Sequence, residues 1–518
     1  MRRIALAFVL FAAGCGRFHF DELAGADDAA DAPNDGPHEL APTTELYIKA
    51  SNTGANDLFG TSVALSADGS TLAVGAPGEA SAARGINVDQ SDDTAPGAGA
   101  VYIFGRSGDT WVQQAYLKAS NADIQDTFGA AIELSDDGNT LAVGAWGEAS
   151  NAQVIGGNEA DNSSLGAGAV YVFRRSGSTW SQEAYVKASN AEASDYFAQH
   201  LALSGDGATL AVAAVGESSG ATGIDGDETD NSVPAAGAVY VFARAGGWTQ
   251  QAYVKASNTA LATTLGDFFG YALALSVDGN TLAVGAPNET GTSSGVGGSQ
   301  TRLLSNQKGA VYVFSRAGST WTQQEYIKAS NPDFNDGFGG GIALDAAGDA
   351  LAVSAPNESG NGSSELDNSL SAAGAVYMFS RSGTTWIQEA YLKAPAPRSF
   401  ELFGTGLALA ADGTQLIVAW ANDGGSARGI DADPSLAGAT NSGGVASYAR
   451  VGGDWHLRHY CKAFNADMED RFGTSIALAP DASTLVVGAQ NESSAAVGIG
   501  GDASDNSATN SGAVYVLQ

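Results

Sequence analysis

The chain is poor in the residues that staple small secreted scaffolds or bind nucleic acid. Of 518 residues only Cys15 and Cys461 are cysteine, which excludes a disulfide framework. Basic residues are scarce: 24 Lys and Arg stand against 57 Asp and Glu, a formal charge of −33. A surface of that sign repels phosphate backbones, so nucleic acid is excluded and cations, basic proteins or neutral glycans remain as partners. Histidine, with 5 residues, and methionine, with 3, are rare. Beyond the N-terminus no apolar run approaches the ~18 residues that span a bilayer. Glycine, by contrast, occurs 68 times, which suits many tight turns.

The N-terminus reads as a targeting segment: MRR is a basic n-region and IALAFVLFAAG an apolar h-region too short to span a membrane. FAAGC resembles a bacterial lipobox, with Ala12 where that pattern prefers leucine. The resemblance implies removal of residues 1–14, acylation of Cys15 and anchorage in a lipid bilayer. Gly16 at the next position implies the outer membrane, with the periplasmic and the outward-facing leaflet both left open. Residues 15–44 are acidic, rich in Ala and Pro and without apolar period, so a disordered tether is expected there.

From residue 45 the sequence repeats. TLAVGAP at 71–77 returns as TLAVGAW (140–146), TLAVAAV (209–215), TLAVGAP (281–287), ALAVSAP (350–356), QLIVAWA (415–421) and TLVVGAQ (484–490). Each unit carries four segments of β character, such as WVQQAYLKAS, FGAAIELS, TLAVGA and GAVYVF. Asp-Gly turns such as SDDGN separate FGAAIELS from TLAVGA, and RSGST-type turns separate GAVYVF from the W-x-Q strand that follows it. A four-strand unit that cannot bury both faces alone is a propeller blade, and seven units predict an all-β, seven-bladed propeller over residues 45–518. The chain stops at GAVYVLQ without a last strand and starts with ELYIKAS, that strand without a blade. The N-terminal strand is therefore expected to complete the last blade and close the ring.

Phe-Gly at 59–60, 128–129, 269–270, 338–339, 403–404 and 472–473, with Gly-Ala-Pro at 75–77 and 285–287, resembles the FG-GAP repeat of integrin α-subunit propellers. Blade three departs with Phe197-Ala198 and blade six with Val418-Ala419-Trp420. Integrin-type blades often carry a DxDxDG calcium loop after the first strand. Here that turn is SADGS, SDDGN or SGDGA, too poor in carboxylates for the six or more oxygens calcium takes, so those sites do not carry over.

The residues that could carry chemistry fall into four groups. Each repeat holds a charged trio: a Lys in Y-x-K-A, an acid two residues before the Phe, and an acid after the GAP strand, as in Lys118, Asp57 and Glu79. Strand order brings all three to one end of the blade, where fixing the loops is the expected role. The long loops between second and third strands are acidic. Asp225, Asp227, Asp230 and Asn231 form the densest oxygen cluster, followed by Asp502, Asp505 and Asn506. Two carboxylates about 4 Å apart repel by roughly 4 kcal/mol at an effective dielectric of 20. Such acids either splay into solvent or share Ca2+. Glu133 and His200 replace small residues on inner strands and are candidates for a channel acid/base pair; His456 and His459 lie on an outer strand, and Cys461 is expected to pack as a small hydrophobe. Arg106, Arg175, Arg244, Arg316, Arg381 and Arg450 ring the opposite end, where they could face anionic head groups. The resulting reading is a monomeric, non-catalytic, envelope-anchored adhesion module presenting acidic loops to a protein, glycan or cation. A polysaccharide-active enzyme working at the channel mouth is the alternative.

Overall fold

The computed structural model describes residues 39–259, 266–303 and 307–518. The lipobox, Cys15 and most of the tether lie outside the described residues. No helix among those described is long and apolar enough to cross a membrane.

The strands form seven antiparallel four-stranded sheets, each built from consecutive strands except the last. The first blade shows the pattern, with strands Ser62–Leu65, Thr71–Ala76, Ala100–Ser107 and Thr110–Leu117 running from the axis outward. Inner strands touch from blade to blade around the whole ring, the first blade meeting the seventh as well as the second. The second strand, TLAVGA, is buried along its entire length because each face of the blade packs on a neighbour. This is why the sequence shows a continuous apolar run there rather than an alternation. The fourth strand alternates only in its outer half, where one side meets solvent.

The Phe-Gly and Gly-Ala-Pro signatures join blades. Phe59 wedges between the seventh and first blades, its ring edge-on to Tyr102 at 5.3 Å, and its backbone forms a parallel bridge to Gly512. A Cβ on Gly75 would lie 2.0 Å from the carbonyl oxygen of Gly129 in the next blade, so the close approach at this junction requires glycine, whereas Ala213, Ser354 and Ala419 take the equivalent position in blades three, five and six. Gly129 itself sits at φ 89°, a region side chains disfavour. Blade three places Ala198 there at φ 74°, a local strain of about 1–2 kcal/mol. Blade six solves another problem: Trp420, buried to 1%, would clash with an alanine and a tyrosine elsewhere in the repeat. It pairs instead with Gly444, two residues before Ala446, which stands where the first blade has Tyr102.

The ring closes as the sequence predicts. Glu45–Ile48 pairs antiparallel with Ala513–Leu517, from Glu45↔Leu517 to Ile48↔Val514, and completes the last sheet. The tether boundary at 44 moves, however. Leu40 is buried to 2% and its N–H donates to Gln415 Oε1, while Glu39 pairs with Arg458. One leucine in a polar stretch is too weak a period to register in sequence.

Candidate functional site

The connections from fourth to first strand and from second to third strand all emerge at one end of the ring, the loop face. Its base is a repeated buried ion pair. Lys118 meets Glu79 at 2.7 Å, and the same pair recurs as Lys187–Glu148, Lys255–Glu217, Lys328–Glu289, Lys393–Glu358, Lys462–Asp423 and Lys49–Glu492, all within 2.6–2.9 Å. Burial lowers the Lys118 pKa while the Glu79 carboxylate pulls it back up. Tyr116 donates to Glu79 as well, and Asn52 reaches it from the neighbouring loop. The lysine and the acid after the GAP strand thus form a structural lock, as their position in the repeat suggests.

The third member of the trio has a different task. Asp57 accepts the N–H of Gly54, and Asp126, Asp195, Asp336 and Asp470 cap their turns in the same way. In blade four an arginine spans both acids: Arg302 donates to Asp267 at 2.9 Å and lies 3.7 Å from Glu289. Arg398 does the same for Glu401 and Asp423 in blade six. In the other five blades burial raises the capping acid, to about 6 for Asp57 and Asp336 and about 7 for Asp126, Asp195 and Asp470. Their unfolded values lie near 4, so this contribution to stability is complete below about 4 and lost as pH rises through 6–7. Burial lowers His200 to about 4, which works in the opposite direction as pH falls below its usual 6.5. Burial also raises Glu45 to about 7 and Glu133 to about 8; with the five capping acids these outweigh the one histidine, and the melting temperature is expected to be higher at about pH 5 than at about pH 8. A melting temperature that drops over this interval in a thermal scan would contradict the assignment.

The structure does not gather the candidate calcium ligands. Asp227 accepts both the N–H and the hydroxyl of Thr229, Asp230 those of Ser232, and Asp225 the N–H of Tyr253. Asn231 donates to Glu192. Asp502 and Asp505 engage Ser504 and Ser507, and Asn506 donates to Asp467. Among the described residues no three of His, Cys, Asp and Glu assemble into a metal-holding group. The signal for this was present in the sequence: Asp-x-Ser/Thr recurs through the loops, and that spacing closes an Asx turn.

Glu133 and His200 are not brought together. His200 points toward blade four and packs on Tyr271, with ring centroids 5.6 Å apart. Glu133 sits on the inner strand Ala131–Leu134, where burial pushes its carboxyl up to about 8, and no hydrogen bond or ion pair joins the two among the described residues. His459 bonds Asp431 at 2.7 Å, His456 is exposed, and Cys461 is buried with its thiol pushed up to about 12.

The arginine ring at the opposite end is occupied. Arg175, Arg244, Arg316 and Arg381 each lie over the tryptophan of their own blade at 5.3–5.8 Å. Arg175 also donates to Thr71 and Arg316 to Thr209, each in the preceding blade. These guanidiniums tie blade to blade, which removes the support for a head-group-facing ring. Sequence reasoning also overlooked Trp146, which stands where Pro77 stands in the first blade and lines two cavities of about 400 and 520 Å3.

A family model described as FG-GAP repeat matches residues 43–104 and 180–242. No curated protein matches the chain. Among solved structures, a chain of "Crystal Structure of Mitotic Checkpoint Complex" aligns over 91% of this chain and 96% of its own length, with TM-score 0.45 and 12% identity, too low to bear on function. Each family-matched segment contains a fourth strand followed by the first three strands of the next blade, so the matched unit straddles a blade junction. Two segments of the chain thus match the FG-GAP repeat model, and the strands of the described residues form a closed seven-bladed propeller.

Proposed function

We propose that the protein is a monomeric, non-catalytic binding module anchored in a bacterial envelope through acylated Cys15, with its loop face toward a protein, glycan or cation partner. The observation that supports this most is the construction of that face. Buried lysine–acid pairs hold the loop bases rigid, while the tips carry exposed acids such as Asp227, Asp433 and Asp502. Rigid bases under polar tips are the usual design of binding loops. The resemblance to integrin α propellers adds adhesion as the kind of binding, although fold alone does not fix function. A cation partner has to win its carboxylate oxygens from the Asx turns. The polysaccharide-active alternative loses its acid/base pair, since Glu133 and His200 serve different blades.

The full chain, expressed in a bacterial host, is expected to bind protein or glycan ligands in the membrane fraction, with and without calcium. Cys15→Ser should move that binding to the soluble fraction. Joint Asp227→Asn, Asp433→Asn and Asp502→Asn should weaken it. Binding indifferent to the loop substitutions, or polysaccharide cleavage in the same assay, would overturn the reading.

A further inference from the structure

We propose that a neutral saccharide chain binds across Trp146, at the loop-face junction of the second and third blades; this rests on the loop face being the binding face. The internal repeats supply the reference. The position after the buried second strand holds Pro77, Pro287 and Pro356 in three blades, and a half-buried Trp146 in the second. Tyr196 from the third blade stands edge-on to the indole at 5.7 Å and 77°, which fixes the plane of the ring. A flat, oriented indole is therefore built at the junction of the second and third blades.

The indole walls two cavities. The inner one, about 400 Å3, is lined by Thr61, Gln125, Thr127 and Gln199. The outer one, about 520 Å3, adds Asp123, Asn162 and Tyr196. No hydrogen bond to the described protein engages the side-chain amides of Gln125 or Gln199, so each offers both donor and acceptor. Sugar hydroxyls need both, and the C–H face of a pyranose is the apolar plate that an indole accepts. The carboxylates beside the outer cavity favour a neutral chain over a sulfated or uronic one. They do not favour a basic peptide, because Asp126 already caps the N–H of Asp123, and Asp123 already holds Asn162 at 2.8 Å and Arg84 at 3.8 Å. Two cavities sharing one indole fit a chain of at least two sugar residues.

The test uses the full chain against a panel of soluble glucans, mannans, galactans and xylans, read by affinity electrophoresis and by tryptophan fluorescence. Trp146→Pro installs the residue of three other blades, so its melting temperature should match wild type while binding falls at least tenfold and the fluorescence change disappears. Gln199→Thr, which installs the residue found at Thr61, Thr405 and Thr474, should weaken binding several-fold. Trp146→Phe should restore part of what Trp146→Pro loses. A wild-type protein that binds no member of the panel, or a folded Trp146→Pro that binds as well as wild type, overturns the proposal. So does capture of a basic peptide, in place of any glycan, that Trp146→Pro abolishes. If the loop aspartate substitutions abolish ligand binding while Trp146→Pro leaves it intact, the loop-face function survives and the saccharide site falls.

Discussion

Lys118→Met is expected to destabilise the propeller by about 3–5 kcal/mol, the range seen when one partner of a buried ion pair is removed. The lysine and Glu79 are 0% and 1% exposed, so water does not screen the loss. Methionine keeps most of the volume but leaves the Glu79 carboxylate held only by Tyr116, Asn52 and the N–H of Ser81. Asp57 and Asp126 also feel the Lys118 charge, so the loss extends to both adjoining turns. Denaturant unfolding of the single variants and of Lys118→Met/Glu79→Gln gives the comparison. The double variant should be more stable than Lys118→Met alone, because a neutral amide tolerates burial better than an unpaired carboxylate. A single-variant loss below about 1 kcal/mol would put the pair in the class of surface bridges and sink the idea of a structural lock.

Deleting residues 1–50 is expected to do more damage still. The cut removes Tyr47 and Ile48, 3% and 0% exposed, each contributing about 1.5–3 kcal/mol by burial. It removes Leu40 and leaves Glu492 without Lys49. It also exposes Ala513–Leu517 as an unpaired edge, a template for aggregation. Together these losses consume most of the roughly 5–15 kcal/mol that folded domains possess. Size-exclusion chromatography and thermal unfolding should show aggregation and a lost or much lowered transition. A truncated chain that stays monomeric and melts with the full-length protein would show that the ring does not depend on its closing strand.

The repeat made the architecture readable. Seven copies of one apolar strand predict seven blades, and the pairing of Glu45–Ile48 with Ala513–Leu517 closes them into a ring. The lysine and its acid could be paired from strand order alone. What escaped was whatever depends on a single residue against its neighbours in space. Leu40 has no apolar period around it, and the arginine ring looked free because its tryptophan partners lie on the adjacent strand. The acidic loops looked like ligand sets because carboxylates were counted without the Ser and Thr that occupy them. Trp146 was visible as a departure from proline, but only the junction with Tyr196 gives it a cavity to serve.

The closing strand also decides how the ring bears load. Glu45 begins that strand at the turn face, and Lys49 follows its end at the loop face. A pull on the chain upstream of Glu45, resisted by anything held on the loop face, therefore runs along the strand and not across it. The four residue pairs from Glu45↔Leu517 to Ile48↔Val514 are then sheared together instead of being peeled one after another. The buried Lys49–Glu492 contact lies at the far end of that path and is the last to feel the tension. The join between the two ends of the chain is thus oriented as a mechanical clamp.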